Sequence, residues 1–95
     1  MTIKSFRDRE TAAVNEGDRV RRLPLEIQRL ARRKLKALDA AMHLEQLGVP
    51  PGNRLEPMKG TRSGQYSIRI NDQWRLCFRW AAPDAYDVEI CDYHR

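Results

Sequence analysis

Asp92, Tyr93 and His94 stand in succession behind the alternating run "YDVEIC", at the end of the sequence. A carboxylate, a phenol and an imidazole can each hold or move a proton. A frayed tail would have little use for all three. Joined to cations, they suit cleavage of RNA. An RNA strand carries its own nucleophile, the 2′-hydroxyl, so the protein need supply no metal. It must supply a base, an acid for the leaving 5′-oxygen, and positive charge for the developing phosphorane. Positioned acid–base groups contribute about 10²–10⁴-fold, and one preorganised donor to a developing oxyanion roughly 3–4 kcal/mol. Lys59, Arg69 and Arg75 are candidates for the cationic part, and Glu56, Asp92 and His94 for proton transfer. Tyr93 could donate a hydrogen bond or stack on a base, worth about 1–3 kcal/mol.

Other chemistries lack their residues. No glycine-rich phosphate loop is present. Two cysteines fourteen apart and two histidines fifty-one apart lack metal-ligand spacing. No nucleophile elbow supports a serine hydrolase. The plainer readings are that Arg75 and Arg79 are solvated strand residues, and that Glu56 and Asp92 are ion-pair partners of arginines. Trp74, Phe78 and Trp80 read as core, and His43 as a helix surface or packing residue.

The 95 residues suit one domain, spanning 1–95, with a modest core. The apolar share is 41% and the charged share 33%, with no run long enough to span a bilayer. The start "MTIKSFRDRE" is charged from its fourth residue and lacks the apolar stretch of a secretion signal, so the expected compartment is the cytoplasm. Cys77 and Cys91 are then expected to be reduced, largely structural thiols. The net charge is +5, gathered in two zones: eight basic residues between Gly17 and Lys36, and six between Arg54 and Arg79. Such zones suggest a polyanionic partner, nucleic acid above all.

Elements to position these groups follow from periodicity. "IKSF" reads as an edge strand, and "RDRETAAVNEG" as a short helix ending at Gly17. From Pro24 to about Leu47, Ile27, Leu30, Ala31, Leu35, Leu38, Ala41 and Met42 share one face of a long helix with a basic outer side. Three strands follow. Tyr66, Ile68 and Ile70 alternate with polar neighbours, as do Trp74, Leu76, Phe78 and Trp80, then Tyr86, Val88 and Ile90. The expectation is an α+β fold, an antiparallel meander with helices on its apolar face. The opposite face would be rich in arginine and open to solvent, carrying Ser67, Arg69, Arg75 and Arg79, with Asp92, Tyr93 and His94 at its end. Between helix and sheet, the seventeen residues "GVPPGNRLEPMKGTRSG" form a loop with one extended piece near Arg54–Glu56. Connections that long are often functional.

"RLEPMKGTRSGQYSIRINDQWRLCFRW" followed by "DVEICDYH" resembles the HigB branch of the RelE/ParE toxin superfamily, and the similarity extends over nearly the whole chain. The resemblance implies a RelE-like fold, with N-terminal helices packed on one face of a curved antiparallel sheet. It implies the toxin of a type II toxin–antitoxin system: a ribosome-dependent endoribonuclease that cuts mRNA in the decoding site and inhibits translation, without metal or other cofactor. Functional residues carry over to Lys59, Arg75, Asp92, Tyr93 and His94. Glu56 stands where well-studied relatives have histidine, so the base remains open among Glu56, Asp92 and His94. Arg54, Arg62, Arg69 and Arg79 are the expected RNA-binding residues. The implied partners are a HigA-type helix-turn-helix antitoxin, operator DNA through that antitoxin, and mRNA on the small ribosomal subunit, with ribosomal RNA meeting the basic Arg29–Lys36 helix. No membrane is involved. Two other readings stay open, a ParE-like inhibitor of DNA gyrase and a catalytically weak ribosome- or RNA-binding module.

Overall fold

The computed structural model describes residues 1–92. Helix α1 spans Arg9–Glu16. Asp8 starts it by accepting the Thr11 N–H at 2.6 Å, and Gly17 ends it at φ 92°, a left-handed conformation that costs glycine little. Val14 is buried, and the Thr11 hydroxyl accepts the Ile90 N–H at 3.0 Å, which ties this helix to the last strand.

Helix α2, Leu25–Ala40, turns Ile27, Ala31, Leu35 and Leu38 into the core. Each large apolar side chain so buried contributes about 1.5–3 kcal/mol. Gln28 is buried too. Its amide receives the Val20 N–H and donates to the Val20 and Leu23 carbonyls, holding the link between the helices against α2. The helix stops seven residues before the expected Leu47. Ala41 turns extended (φ −72°, ψ 134°), and Thr2 takes its carbonyl at 2.5 Å. The Gln46 side chain accepts the Met42 and His43 N–H groups, starting a separate 3₁₀ turn over Leu44–Gly48. Met42 therefore leaves the apolar face and is exposed.

The sheet has four antiparallel strands in sequence order: β1 (Glu56–Pro57), β2 (Gln65–Arg69), β3 (Trp74–Ala81) and β4 (Asp84–Asp92). Its core face presents Ile68, Leu76, Phe78, Val88 and Ile90 to the helices. The Ile3–Phe6 segment pairs with β4 through isolated parallel bridges at Ala85 and Val88, and Ser5 Oγ accepts the Asp87 N–H at 2.9 Å, so it edges the sheet without forming a full strand.

Periodicity misplaces one residue of β4. Asp87 adopts φ 55° and the β3–β4 register shifts there. The extra residue of this bulge reverses the alternation, so Ala85 faces Trp80 and is buried while Tyr86 lies opposite Arg79. Tyr86 thus belongs with the polar side chains and not with Val88 and Ile90.

Candidate active site

Arg75 is the second residue of β3, next to the turn from β2, with its side chain on the face away from the helices. The expected open arginine face is closed at this point: Arg75 is 7% exposed, and Ser67 and Cys77 are buried beside it. A guanidinium removed from water must place its donors on acceptors. Arg75 Nε donates to Ser67 Oγ at 2.8 Å, and Nη2 donates to the Arg54 carbonyl at 2.6 Å and to the Ser67 carbonyl at 3.3 Å. Glu56 Oε1 stands 3.5 Å from the same Nη2. Arg75 is thus a fixed cation, held in one orientation by two strands and a loop.

The loop that supplies this cover is organised by Asn53, which is buried. Its amide nitrogen donates to the Leu47 and Val49 carbonyls, and its oxygen accepts from Lys34 of α2. Arg54 follows in the left-handed region, φ 47° and ψ 58°. That conformation costs a side-chain-bearing residue on the order of 1 kcal/mol, and here it turns the Arg54 carbonyl onto Arg75. The chain then forms β1, where Glu56 pairs with Ser67 and so lies on the polar face beside Arg75. Lys59 is exposed, just before a 3₁₀ turn over Gly60–Arg62. Gly64, at φ 94°, allows the sharp entry into β2.

Toward the other end of this face the charges are paired. Glu89 accepts from Arg62 Nη1 at 2.6 Å and lies 3.7 Å from Arg7 Nε. The Glu89 hydrogen bond raises the Arg62 pKa above its ordinary value. Arg79 sits 3.5 Å from Asp87 and 4.8 Å above the Tyr86 ring. Beneath them the Cys77 and Cys91 thiols hydrogen-bond one another. That bond lowers the pKa of Cys77, and it raises that of Cys91 together with burial.

The sequence-derived site residues therefore divide. Glu56, Arg54 and Arg75 meet, with Arg69 directly opposite Arg75 across β2 and β3. Arg62 and Arg79 lie on the same face but are engaged with carboxylates. Asp92 does not join the polar face as expected. It pairs with Trp74, a residue of the core face, and accepts from Gln73 Nε2 at 3.2 Å. Tyr93 and His94 lie outside the described residues. Sequence reasoning overlooked Asn53, whose only signal was its place after Pro-Pro-Gly at the loop's bend. It also overlooked Ser67 as the partner of Arg75. Among the described residues, no cluster of three or more His, Cys, Asp and Glu could hold a metal ion, and no helix is long and apolar enough to cross a membrane.

Comparison with known proteins gives a consistent family. Residues 4–94 match the family of HigB-like toxins, described as the RelE-like toxin of the type II toxin–antitoxin system HigB. Toxin HigB-1 of Vibrio cholerae serotype O1 is 43% identical over 76 residues, covering 79% of this chain and 80% of that protein. Endoribonuclease HigB of Proteus vulgaris is 30% identical over 92 residues, covering 97% and 99%. Among solved structures, a YoeB/ParE toxin from Agrobacterium tumefaciens superposes over the whole of both chains with a TM-score of 0.53 at 19% identity, a likeness of fold.

Proposed function

The chain belongs to the HigB-like toxins, RelE-like toxins of type II toxin–antitoxin systems, and from that premise we propose that it is a ribosome-dependent endoribonuclease that cuts mRNA in the decoding site. The observation that supports this reading best is the buried, oriented Arg75 on a cationic face, with Glu56 3.5 Å away.

The proposed reaction is attack of the 2′-hydroxyl on the adjacent phosphorus. A base removes the hydroxyl proton, the 5′-oxygen leaves with a proton from an acid, and a 2′,3′-cyclic phosphate remains. Arg75 stabilises charge on the phosphorane without having to reorient, since its guanidinium is already held on Ser67 and Arg54. A preorganised donor of this kind acts far more strongly than a mobile one. Lys59, exposed on the loop beyond β1, supplies a second cation. Glu56, Asp92 and His94 are the proton-transfer candidates, and Tyr93 stacks on a base or donates a hydrogen bond. The exposed basic side of α2, with Arg29, Arg32, Arg33 and Lys36, contacts ribosomal RNA in this reading. Such attachment weakens as salt rises.

The partner of a type II toxin is its antitoxin. We assign that role to a HigA-type helix-turn-helix protein that carries the complex to operator DNA. The test is cleavage of mRNA on purified ribosomes with an empty decoding site, with free RNA as control and a variant lacking residues 92–95 beside wild type. Cleavage confined to ribosomes, lost on truncation while ribosome binding persists, is the expected result. A folded, antitoxin-free wild type that leaves mRNA intact would falsify the nuclease reading, and inhibition of DNA gyrase would then be assayed.

A further inference from the structure

Beyond Arg75, toward the turn between β2 and β3, the polar face opens into a cleft of about 430 Å³ lined by Gly52, Arg54, Arg69, Asn71, Asp72 and Arg75. Its construction is unfavourable for an empty protein. The strand register sets Arg69 directly opposite Arg75, and like charges facing across a strand pair destabilise it. Arg54 adds a third guanidinium, which has no hydrogen-bond or ion-pair partner among the described residues, on a backbone in the left-handed region. Lys34 borders the same end, and its ammonium is held below its ordinary pKa by burial first and then by Arg33 and Arg69. Against these stand Glu56 and Asp72. Asp72 meets Arg69 at 2.6 Å from a fully exposed position, where solvent screens it and an incoming anion can displace it. Asn71 shapes the rim, its side-chain oxygen accepting the Gln73 and Trp74 N–H groups.

We infer that this cleft is a second anion subsite, built by Arg54 and Arg69 alongside Arg75, and that it takes the phosphodiester next to the one cleaved. The inference rests on the nuclease reading and extends it. Arg75 faces the reacting phosphate, while Arg54 and Arg69 hold its neighbour and so set the strand's position along the sheet. Planar guanidinium groups suit phosphate oxygens because they offer paired donors. The cleft therefore makes the protein sensitive to a phosphate at one defined position, independently of which base lies there.

The experiment uses the antitoxin-free chain and an RNA dinucleotide made uncleavable by a 2′-deoxy group. The probe bears a terminal phosphate at its 5′ end, its 3′ end or neither. Binding is followed by calorimetry and by the arginine side-chain NMR signals. A phosphate at one end only should tighten binding about tenfold or more, as charge-assisted hydrogen bonds imply. Arg54→Ala and Arg69→Gln should each remove most of that gain, and Lys4→Ala, a control for overall charge, should keep it. Unfolding midpoints confirm that the variants are folded, and Arg69→Gln has little reason to unfold because it relieves the like-charge pairing. Equal affinities for all three probes, unmeasurable binding included, would overturn the subsite, as would a gain that survives both substitutions. The ribosome assay separates the two ideas. A wild type that cleaves mRNA but ignores the terminal phosphate loses the subsite alone. A wild type that shows the phosphate gain but cuts nothing loses the nuclease reading alone.

Discussion

At the Arg62 end of the polar face, Glu89 sits between Arg62 and Arg7, Asp87 meets Arg79, and two thiols lie beneath. At the Arg54 end, three guanidinium groups converge on a cleft whose carboxylates, Glu56 and Asp72, stand at its exposed margin. The two ends contain the same kinds of residue. They differ most in one carboxylate each: Glu89 is 14% exposed, whereas Asp72 is 99% exposed. Glu89 is mostly sheltered, so Arg62 and Arg7 are part of what holds the fold together there. Asp72 is wholly exposed, so Arg69 remains exchangeable. A count of arginines on a strand therefore does not measure anion-binding capacity; the burial of their partners does.

The most severe way to break this contrast is Arg75→Ala, which removes the buried cation of the Arg54 end. Ribosomal mRNA cleavage should fall by about 10²–10³-fold, and Ser67, the Arg54 carbonyl and Glu56 lose a shared partner. Arg75→Lys should not restore the rate, because a single ammonium cannot span those acceptors. Cleavage time courses with both variants check this. Next in size is Asn53→Ala, which releases the loop that covers Arg75. Three hydrogen bonds go with it, and urea unfolding should show a loss of about 1–3 kcal/mol. Cleavage should fall as well, though the altered side chain touches no candidate catalytic group.

Glu89→Gln tests the paired end. Stability should drop by roughly 1 kcal/mol, since two cations lose a mostly buried carboxylate. RNA affinity should hold or rise, because Arg62 and Arg7 are then freed for phosphate. A fall in affinity would count against the contrast between the two ends.

The smallest effect is expected at Asp72. Its hydrogen bond from Arg69, and then the Arg69 charge, place its folded pKa below the ordinary aspartate value. A depressed carboxylate adds stability above its unfolded pKa and loses it as pH falls through the folded value. Asp72→Asn should therefore lower stability slightly near neutral pH and converge with wild type in acid. Full exposure keeps the change close to the error of a thermal scan at moderate salt.

Much of this arrangement is legible in the chain. The spacing of Ile27, Ala31, Leu35 and Leu38 gives α2 its buried stripe, and the alternation through Trp74–Trp80 gives β3 its two faces. Arg75 and Arg69 can be placed on one side of the sheet by the same reasoning. Alternation failed at Tyr86 because it assumes an unbroken period of two, and the Asp87 bulge inserts one residue. Asp92 is in phase with Val88 and Ile90, and the structure pairs it with Trp74 accordingly, so assigning it to the polar face departed from the alternation itself. The apolar spacing extended α2 to Met42 and beyond because Ala41 suits a helix; contacts from Thr2 and Gln46 end it earlier.

The sequence by itself determined which residues seek the interior, where helix and strand periods run, how many cations the chain carries, and the motif that relates it to the HigB-like toxins. Those properties depend on side-chain type and near spacing. Tertiary structure decided which cations remain available. Asn53 folds the 49–62 loop over Arg75, Glu89 takes Arg62 from across the sheet, and Arg69 is set against Arg75 by strand register. Glu89 and Arg62 lie far apart in the chain, and the nearer pairs meet only because a loop and a hairpin bring them together. The strength of these contacts depends on distance and on exclusion of water, and both arise only once the layers have closed.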